Sequence, residues 1–272
     1  MLVGWQKPVL GTQLIYGHPL VLGLFRAWLM NENSGKIIHE LVDGILPTTW
    51  NSTVTWTGRG LTFGALGNLR VEVPNFKVGN AFTVASRIYI TDRGANWPAV
   101  MGNWTGKDAD WFVGWDQGNY STYLDTAAGN YSIDSTVAVT LNQWIDVAYV
   151  FDGRFIRIYE DGIEVVTDDN GAYTTMSDEG TSDIEIGSNS ADRTWIGFMA
   201  HLYFWKNRAL KSAEVMSLHI APYAMFARSS AARHFDTIAV EAKMFLKNVS
   251  LYASLKGDTN GLWRTFKTEY GS

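Results

Sequence analysis

Cysteine is absent from this sequence of 272 residues, and its absence excludes a disulfide framework, a Cys-ligated zinc site and a thiol nucleophile. Charged residues are scarce at 18%, while aromatic residues reach 14%; this balance excludes a disordered chain, a coiled coil and a collagen-like repeat. Long apolar runs are also missing, since Pro19 to Phe25 falls far short of the roughly 18 residues that a membrane span requires. The formal net charge is −5, so no general basic surface favours a nucleic acid. We therefore expect neither a membrane span nor a nucleic-acid partner.

The distribution of turn residues divides the chain into three zones. Residues 1–23 contain Pro8, Pro19 and several Gly without a helical or strand period, and we interpret them as an N-terminal arm. Short strand-like segments separated by Gly, Asn and Asp fill residues 24–226, with the spacing typical of an all-β sandwich. Residues 227–272 change character again and form a predicted C-terminal tail. The predicted fold is an all-β, two-sheet antiparallel jelly-roll sandwich with one short helix, flanked by the arm and the tail.

The clearest strands are predicted between residues 144 and 166. Residues 144–151 are apolar on both faces, as expected for a strand in the middle of a sandwich. Asp152-Gly153 is a strong hairpin signal, because Gly accepts the positive φ of a tight turn, and residues 154–160 then return as the partner strand. A second turn, Asp161-Gly162, leads into residues 163–166. The segment therefore predicts a three-stranded meander.

One helix is predicted near the end of the sandwich. Ser212 can cap it, residues 213–219 supply about two turns, and Pro222 ends it.

At this point the sequence resembles the laminin-G-like, concanavalin A-like jelly rolls. The resemblance is carried by Gly23 to Gly35, Trp144 to Gly162, Ile184 to Gly187, Gly197-Phe198 and Asn207 to Val215. The flanks, Lys7 to Leu20 and Ala221 to Phe226, resemble those of laminin-G-like proteins encoded by tailed bacteriophages. The first resemblance implies the fold, and the second implies a structural or adhesive protein associated with a virion.

The motifs expected of an enzyme are missing. Glycosidases on this fold place carboxylates two apart on one strand, whereas the nearest acidic run, Glu160 to Glu164, falls in a predicted turn where its carboxylates should point into water. The five His, at positions 18, 39, 201, 219 and 234, show no pair at helical ligand spacing. A Gly-x-Ser-x-Gly elbow and a phosphate-binding loop are also lacking. We expect a non-enzymatic protein with no catalytic residue and no cofactor other than a metal ion.

Calcium is the one metal that the sequence leaves open. Jelly rolls of this kind often hold Ca²⁺ at one rim of the sandwich, and loop carboxylates suit a hard cation. The candidate pairs are Asp108/Asp110, Asp168/Asp169 and Asp178/Asp183. Ordinary solvated loop acids explain these pairs equally well, because none has the spacing of a dedicated calcium loop.

Aromatic residues crowd between positions 97 and 131, interleaved with Asn, Asp and Gly. An aromatic face beside amide and carboxylate groups suits a sugar ring, which needs a flat apolar platform and directional hydrogen bonds. The candidate glycan-binding residues are Trp97, Trp104, Tyr120 and Tyr123. The alternative is structural, with Trp111 and Trp115 in the core and the first two Trp packed under loops.

The arm and the tail carry the predicted contacts with other molecules. Residues 1–226 hold 15 basic and 23 acidic residues, a formal charge of −8, whereas the tail holds 7 and 4, a charge of +3. Because opposite potentials attract, the tail could bind the body of another copy; packing on its own body is the alternative. The tail is too apolar for a solvated linker and too short for a core of its own. The predicted assembly residues are Trp5, Phe235, Phe245, Tyr252, Trp263 and Phe266.

We interpret the chain as a structural protein of a bacteriophage virion, such as a capsid decoration protein or another head- or tail-associated protein. Its expected partners are capsid or tail subunits and copies of itself in a homo-oligomer, with the virion as its location. Met1 to Lys7 shows no basic segment followed by a long apolar stretch, so no secretory signal is expected. The alternative is a glycan-binding adhesion or receptor-binding module that uses residues 97–131.

Overall fold

A computed structural model describes most of the chain up to residue 227. The described residues are 7–45, 48–50, 53–64, 69–71, 78–94, 96–103, 111–169, 171, 175–177, 184–188 and 193–227. Clustering of contacts divides the chain into two compact units, Met1–Ala227 and Arg228–Ser272. All six predicted assembly residues lie outside the described residues, and so do Trp104 and the pairs Asp108/Asp110 and Asp178/Asp183.

The first sheet has ten antiparallel strands. Eight of them form a continuous order, β15-β14-β13-β8-β17-β1-β2-β3, and β6 pairs with both β17 and β5. Their bounds are β1 Leu24–Trp28, β2 His39–Glu40, β3 Gly44–Ile45, β5 Val54–Thr57, β6 Gly60–Phe63, β8 Phe82–Asp92, β13 Trp144–Phe151, β14 Phe155–Glu160, β15 Ile163–Asp169 and β17 Ile196–Lys206. The predicted meander is present as β13, β14 and β15.

The second sheet has seven antiparallel strands in the order β12-β11-β10-β9-β16-β7-β4. Their bounds are β4 Thr48–Trp50, β7 Leu69–Val71, β9 Ala99–Asn103, β10 Trp111–Asp116, β11 Asn119–Thr126, β12 Gly129–Ala138 and β16 Ile184–Ile186. Strands β10, β11 and β12 are consecutive hairpins, so the aromatic segment that suggested sugar binding is largely regular sheet. The predicted all-β architecture of two antiparallel sheets with one short helix is confirmed for the described part of the chain.

The main core lies between the inner faces of the two sheets. Trp111 and Trp115 of β10 are buried there with Val113, because residues two apart on a strand share one face. The Trp111 ring stacks on Phe204 of β17 at 6.1 Å between centroids. Fully burying side chains of this size contributes about 1.5–3 kcal/mol each, so these aromatic contacts join one sheet to the other.

A second apolar cluster covers the outer face of the ten-stranded sheet. It contains Tyr203 and Trp205 of β17, the helix residue Leu218, and Leu14 and Leu20 of the predicted arm. The Trp205 indole donates to the Leu20 carbonyl at 2.7 Å. Residues 7–23 therefore pack on their own sandwich.

Helix α1 spans Ser212–Ile220, close to the prediction, but Ser212 is not its cap. The cap is Lys211, whose N–H donates to the Glu214 carboxylate at 2.9 Å. Ser212 lies in the first turn, where its hydroxyl is 3.0 Å from the Tyr159 hydroxyl.

Candidate functional site

Trp97 is the best-placed candidate ligand contact in the described part of the chain. It lies in the loop between β8 and β9 at one rim of the sandwich, and the residue is 37% exposed. Its φ of +52° is in the left-handed region, which costs a non-glycine residue about 1–2 kcal/mol and is frequent at functional sites. The backbone N–H of Trp97 donates to the Asp116 carboxylate at 3.2 Å. This hydrogen bond to the last residue of β10 stabilises the left-handed conformation.

Buried groups underneath fix the position of the rim. The Trp115 indole donates to the Arg93 carbonyl at 2.7 Å, and the Trp195 indole donates to the Ala99 carbonyl at 3.0 Å. These two indoles pack against each other in the core at 5.7 Å between centroids. The loop that carries Trp97 is thus anchored at both ends to the most buried part of the sandwich.

A cation lies against the exposed indole. The Arg193 guanidinium carbon is 4.7 Å from the Trp97 ring centroid, within the range of a cation–π contact. Asp116 is the last residue of β10, and the exposed Gln117 begins the turn after it. An aromatic surface, a guanidinium and a carboxylate therefore lie together at one rim of the sandwich.

The other candidate glycan-binding residues are not gathered at this rim. Tyr120 is completely buried on the inner face of β11, and its hydroxyl donates to the Glu160 carboxylate. Burial raises the pKa of Tyr120 well above its usual value, so this hydroxyl stays a donor. Tyr123 lies on the opposite face of the same strand, half-buried, with its ring parallel to Phe112 at 6.3 Å. Trp104 lies outside the described residues, and of the other three candidates only Trp97 is an exposed residue.

The Glu160 side chain does not point into water, although the sequence predicted this for the acidic run Glu160 to Glu164. Its carboxylate accepts the Thr140 hydroxyl at 2.6 Å in addition to the Tyr120 hydroxyl, so it lies at the edge of the core rather than in water. Asp161 accepts the Asp146 N–H at 2.9 Å. The expectation that these carboxylates point into water is therefore wrong for Glu160, whereas the Asp161 side chain is still 42% exposed and Glu164 is an exposed residue.

Of the predicted calcium pairs, only Asp168/Asp169 lies in the described part of the chain. Asp169 accepts two hydrogen bonds from the Arg154 guanidinium, at 2.8 and 2.6 Å. The Arg154 hydrogen bonds hold the pKa of Asp169 below its usual value. An arginine thus already neutralises the carboxylate, and calcium binding at this pair remains a prediction.

Sequence reasoning missed Arg193 and Asp116 at the rim. Asp116 is the last residue of the strand that holds Trp111 and Trp115, but Arg193 reaches Trp97 from a loop 96 residues further along the chain. No local pattern reports such a contact, because it depends on which strands lie side by side. Among the described helices, none has the length and apolar character needed to cross a membrane.

Comparison with known families places this fold. Residues 63–216 match the concanavalin A-like lectin/glucanases superfamily. The match covers more than half of the chain, so the chain belongs to this superfamily, as the sequence resemblance implied.

Individual relatives are distant. Pappalysin-1 of Mus musculus is 24% identical over 180 residues, which are 59% of this chain and 10% of that protein. The binding domain of Paraclostridial Mosquitocidal Protein 1 superposes with a TM-score of 0.58 at 14% identity, over 74% of this chain and 52% of that one. Domain 4 of AbnA, an extracellular arabinanase from Geobacillus stearothermophilus in complex with arabinotriose, gives 0.57 at 15%, over 73% and 98%. The chain thus spans about a tenth of the pappalysin and about half of the toxin domain, and the structural matches show the fold.

Proposed function

We propose that this chain is a binding module that recognises carbohydrate through the rim formed by Trp97, Arg193 and Asp116. The observation that carries the proposal is the exposed Trp97 indole, held in a left-handed backbone conformation by Asp116. Structural neighbours support it, because one is a binding domain of a toxin and another is a domain in complex with arabinotriose.

The chemistry of the rim suits a sugar ring. The apolar face of a pyranose or furanose packs on an indole, while its hydroxyls need donors and acceptors at the edge of the ring. Arg193 supplies donors and Asp116 supplies acceptors beside the indole. Because the loop is anchored by buried indoles, little conformational entropy is lost on binding.

A glycan array followed by titration of one bound oligosaccharide tests this function. Arabinotriose is included as a soluble probe. We expect binding by the full chain and a loss of at least about tenfold in affinity for Trp97→Ala, which corresponds to about 1.4 kcal/mol. Arg193→Ala should weaken binding in the same assay.

Tyr16→Ala is the matched control, because Tyr16 is an aromatic residue with 78% exposure on the predicted arm. It should leave the affinity unchanged. The proposal is overturned if no glycan binds, or if Trp97→Ala binds the same glycan as tightly as the parent protein.

A second candidate function is assembly, and exposed apolar residues on the arm favour it. Val9, Leu10, Ile15, Tyr16 and Leu22 are between 42% and 78% exposed, although other parts of residues 7–23 are packed on the sandwich. Apolar side chains gathered on one segment are typical of a contact surface. A role as a virion component that binds capsid or tail subunits or forms a homo-oligomer rests on this surface and on the resemblance of the flanks to phage proteins.

A further inference from the structure

Three potential metal ligands meet on the outer face of the ten-stranded sheet, away from the core side. Asp146 belongs to β13, Asp161 to the turn between β14 and β15, and His219 to the last turn of α1. The His219 Nδ1 atom lies 2.8 Å from Asp146 Oδ2 and 3.8 Å from Asp161 Oδ1. The strand, the turn and the helix thus each contribute one potential metal-ligand atom to the same place.

These separations suit a small divalent cation. A tetrahedral site with bonds of about 2.0–2.1 Å places its ligand atoms roughly 3.3 Å apart, and the two distances from His219 lie on either side of that value. One imidazole nitrogen and two carboxylate oxygens favour Zn²⁺ or a similar transition metal. Calcium, which takes six to eight oxygen ligands, is disfavoured.

The charge at this point is also suitable. One guanidinium is paired with this cluster, because Arg87 Nη1 contacts Asp146 Oδ2 at 2.9 Å. With a neutral imidazole the cluster carries a formal charge of −1, which attracts a cation. Arg87 would then orient the Asp146 carboxylate without binding the cation itself, as hydrogen-bonded partners of metal ligands commonly do.

A second observation is independent of the donor spacing. Asp146 Oδ1 is buried and has no hydrogen-bond partner among the described residues. Leaving a buried acceptor without a hydrogen bond is unfavourable, so this carboxylate oxygen is available to a cation. A bidentate or rotated Asp146 carboxylate bound to a cation would satisfy it.

Space for a further ligand is present next to two of the three metal-binding side chains, those of Asp146 and His219. A cavity of about 10 Å³ is lined by Asp146, His219, Gly162 and His201, among others. This volume holds about one water molecule, and a site with three protein donors takes one water to complete a tetrahedral shell.

We propose that Asp146, Asp161 and His219 form a binding site for a divalent transition-metal cation, with Zn²⁺ the ion that the donor set suits best. The bound cation replaces the proton between His219 Nδ1 and Asp146 Oδ2. It fastens the end of α1 to β13 and to the turn after β14. The site is separate from the Trp97 rim and does not depend on the carbohydrate proposal.

The test is titration of the chelator-treated full chain with Zn²⁺ against a chromophoric chelator, followed by Co²⁺ spectroscopy. We expect one equivalent of Zn²⁺ to bind and the melting temperature to rise with its concentration, because a ligand specific for the folded state stabilises it. Co²⁺ should give the visible absorption of a four- or five-coordinate nitrogen and oxygen site.

Substitutions at Asp161 and His219, whose side chains are partly exposed, test the site directly. Asp161→Asn and His219→Gln should each weaken Zn²⁺ binding at least tenfold, since even outer partners of a metal site are worth about 10–100-fold. His39→Gln, a histidine on β2, is the matched control and should bind Zn²⁺ like the parent. Thermal unfolding of the metal-free variants verifies that they are folded. Absence of stoichiometric binding, or equal affinities in His219→Gln and the parent, overturns the proposal.

Discussion

His201 is a fully buried histidine on the outer face of β17. Its ring lies over Tyr203 with 4.5 Å between centroids, and its Nδ1 is 3.3 Å from the Tyr223 hydroxyl. Burial, aided by the positive charges of Lys7 and Arg87, holds the pKa of His201 well below its usual 6.5. The native state therefore keeps this imidazole neutral at pH values at which the unfolded chain would protonate it.

The free energy of unfolding should consequently fall as the pH drops below about 6.5. In that range the unfolded state binds one more proton than the native state, so stability changes by at most about 1.4 kcal/mol per pH unit from this group. Denaturant unfolding at pH 7.5, 6.0 and 5.0 measures the effect, and His201→Leu should flatten it.

Tyr223→Phe is the control for this prediction, because it removes the hydroxyl partner but leaves the imidazole in place. Its stability should still fall with pH. An unchanged pH slope in His201→Leu would contradict the prediction.

At the scale of the element, Gly114 shows how closely β9 and β10 approach. The register between these strands shifts between Val113 and Gly114, and a Cβ at Gly114 would lie 2.1 Å from the Pro98 carbonyl oxygen. The Gly114 carbonyl also accepts the Tyr149 hydroxyl at 2.6 Å. The strand can therefore neither move away nor accept a side chain without a shift of backbone.

Gly114→Ala should destabilise the protein by about 1–3 kcal/mol, the usual cost of overpacking a core. It should also weaken glycan binding, because Pro98 follows Trp97 directly. Thermal unfolding and the array measure the two effects. Gly58→Ala is the matched control: no atom lies within 4 Å of its added Cβ, and its stability should stay within about 0.5 kcal/mol of the parent.

Much of the element order was predictable from sequence because it depends on local signals. The strand over residues 144–151 has the predicted bounds, and the Asp-Gly turns lie where they were expected. Tyr120 and Tyr123 were predicted to belong to one glycan-binding group, and strand geometry explains why they do not share a surface. In a strand, residues three apart point to opposite faces, so Tyr120 entered the core and Tyr123 did not.

The two sites were harder to predict because they depend on contacts distant in sequence. Asp146 and His219 are 73 residues apart and meet only because α1 packs over β13. Asp161 was recognised as a turn residue, but nothing in the turn itself indicates that its carboxylate faces another strand. Only the assembled sheet and helix bring these donors together.

At the scale of the whole molecule, both apolar clusters consist of residues between 14 and 226. A chain ending at Ala227 therefore retains all the described core residues. We expect it to unfold cooperatively, with a melting temperature close to that of the full chain, when followed by circular dichroism.

The same truncation addresses the predicted role of the tail in assembly. Sedimentation velocity should show a smaller association state for residues 1–227 than for the full chain if Phe235, Trp263 and the other tail residues form the contact. Equal association states larger than a monomer would assign assembly to the exposed arm residues, whereas two monomers would contradict the assembly role. A truncated chain that fails to fold would contradict the independence of the sandwich.

The last described residues pair with a segment near the beginning of the described chain. Leu14 and Phe226 form an antiparallel bridge, and the Ala227 N–H donates to the Gln13 carbonyl at 2.8 Å. A pulling force applied at Leu14 and Phe226 would act across this short antiparallel pair. It would break the hydrogen bonds of the pair one after another. The long strands would bear little of the force until residues 7–23 had detached. This segment would therefore unfold first and protect the sandwich from the force.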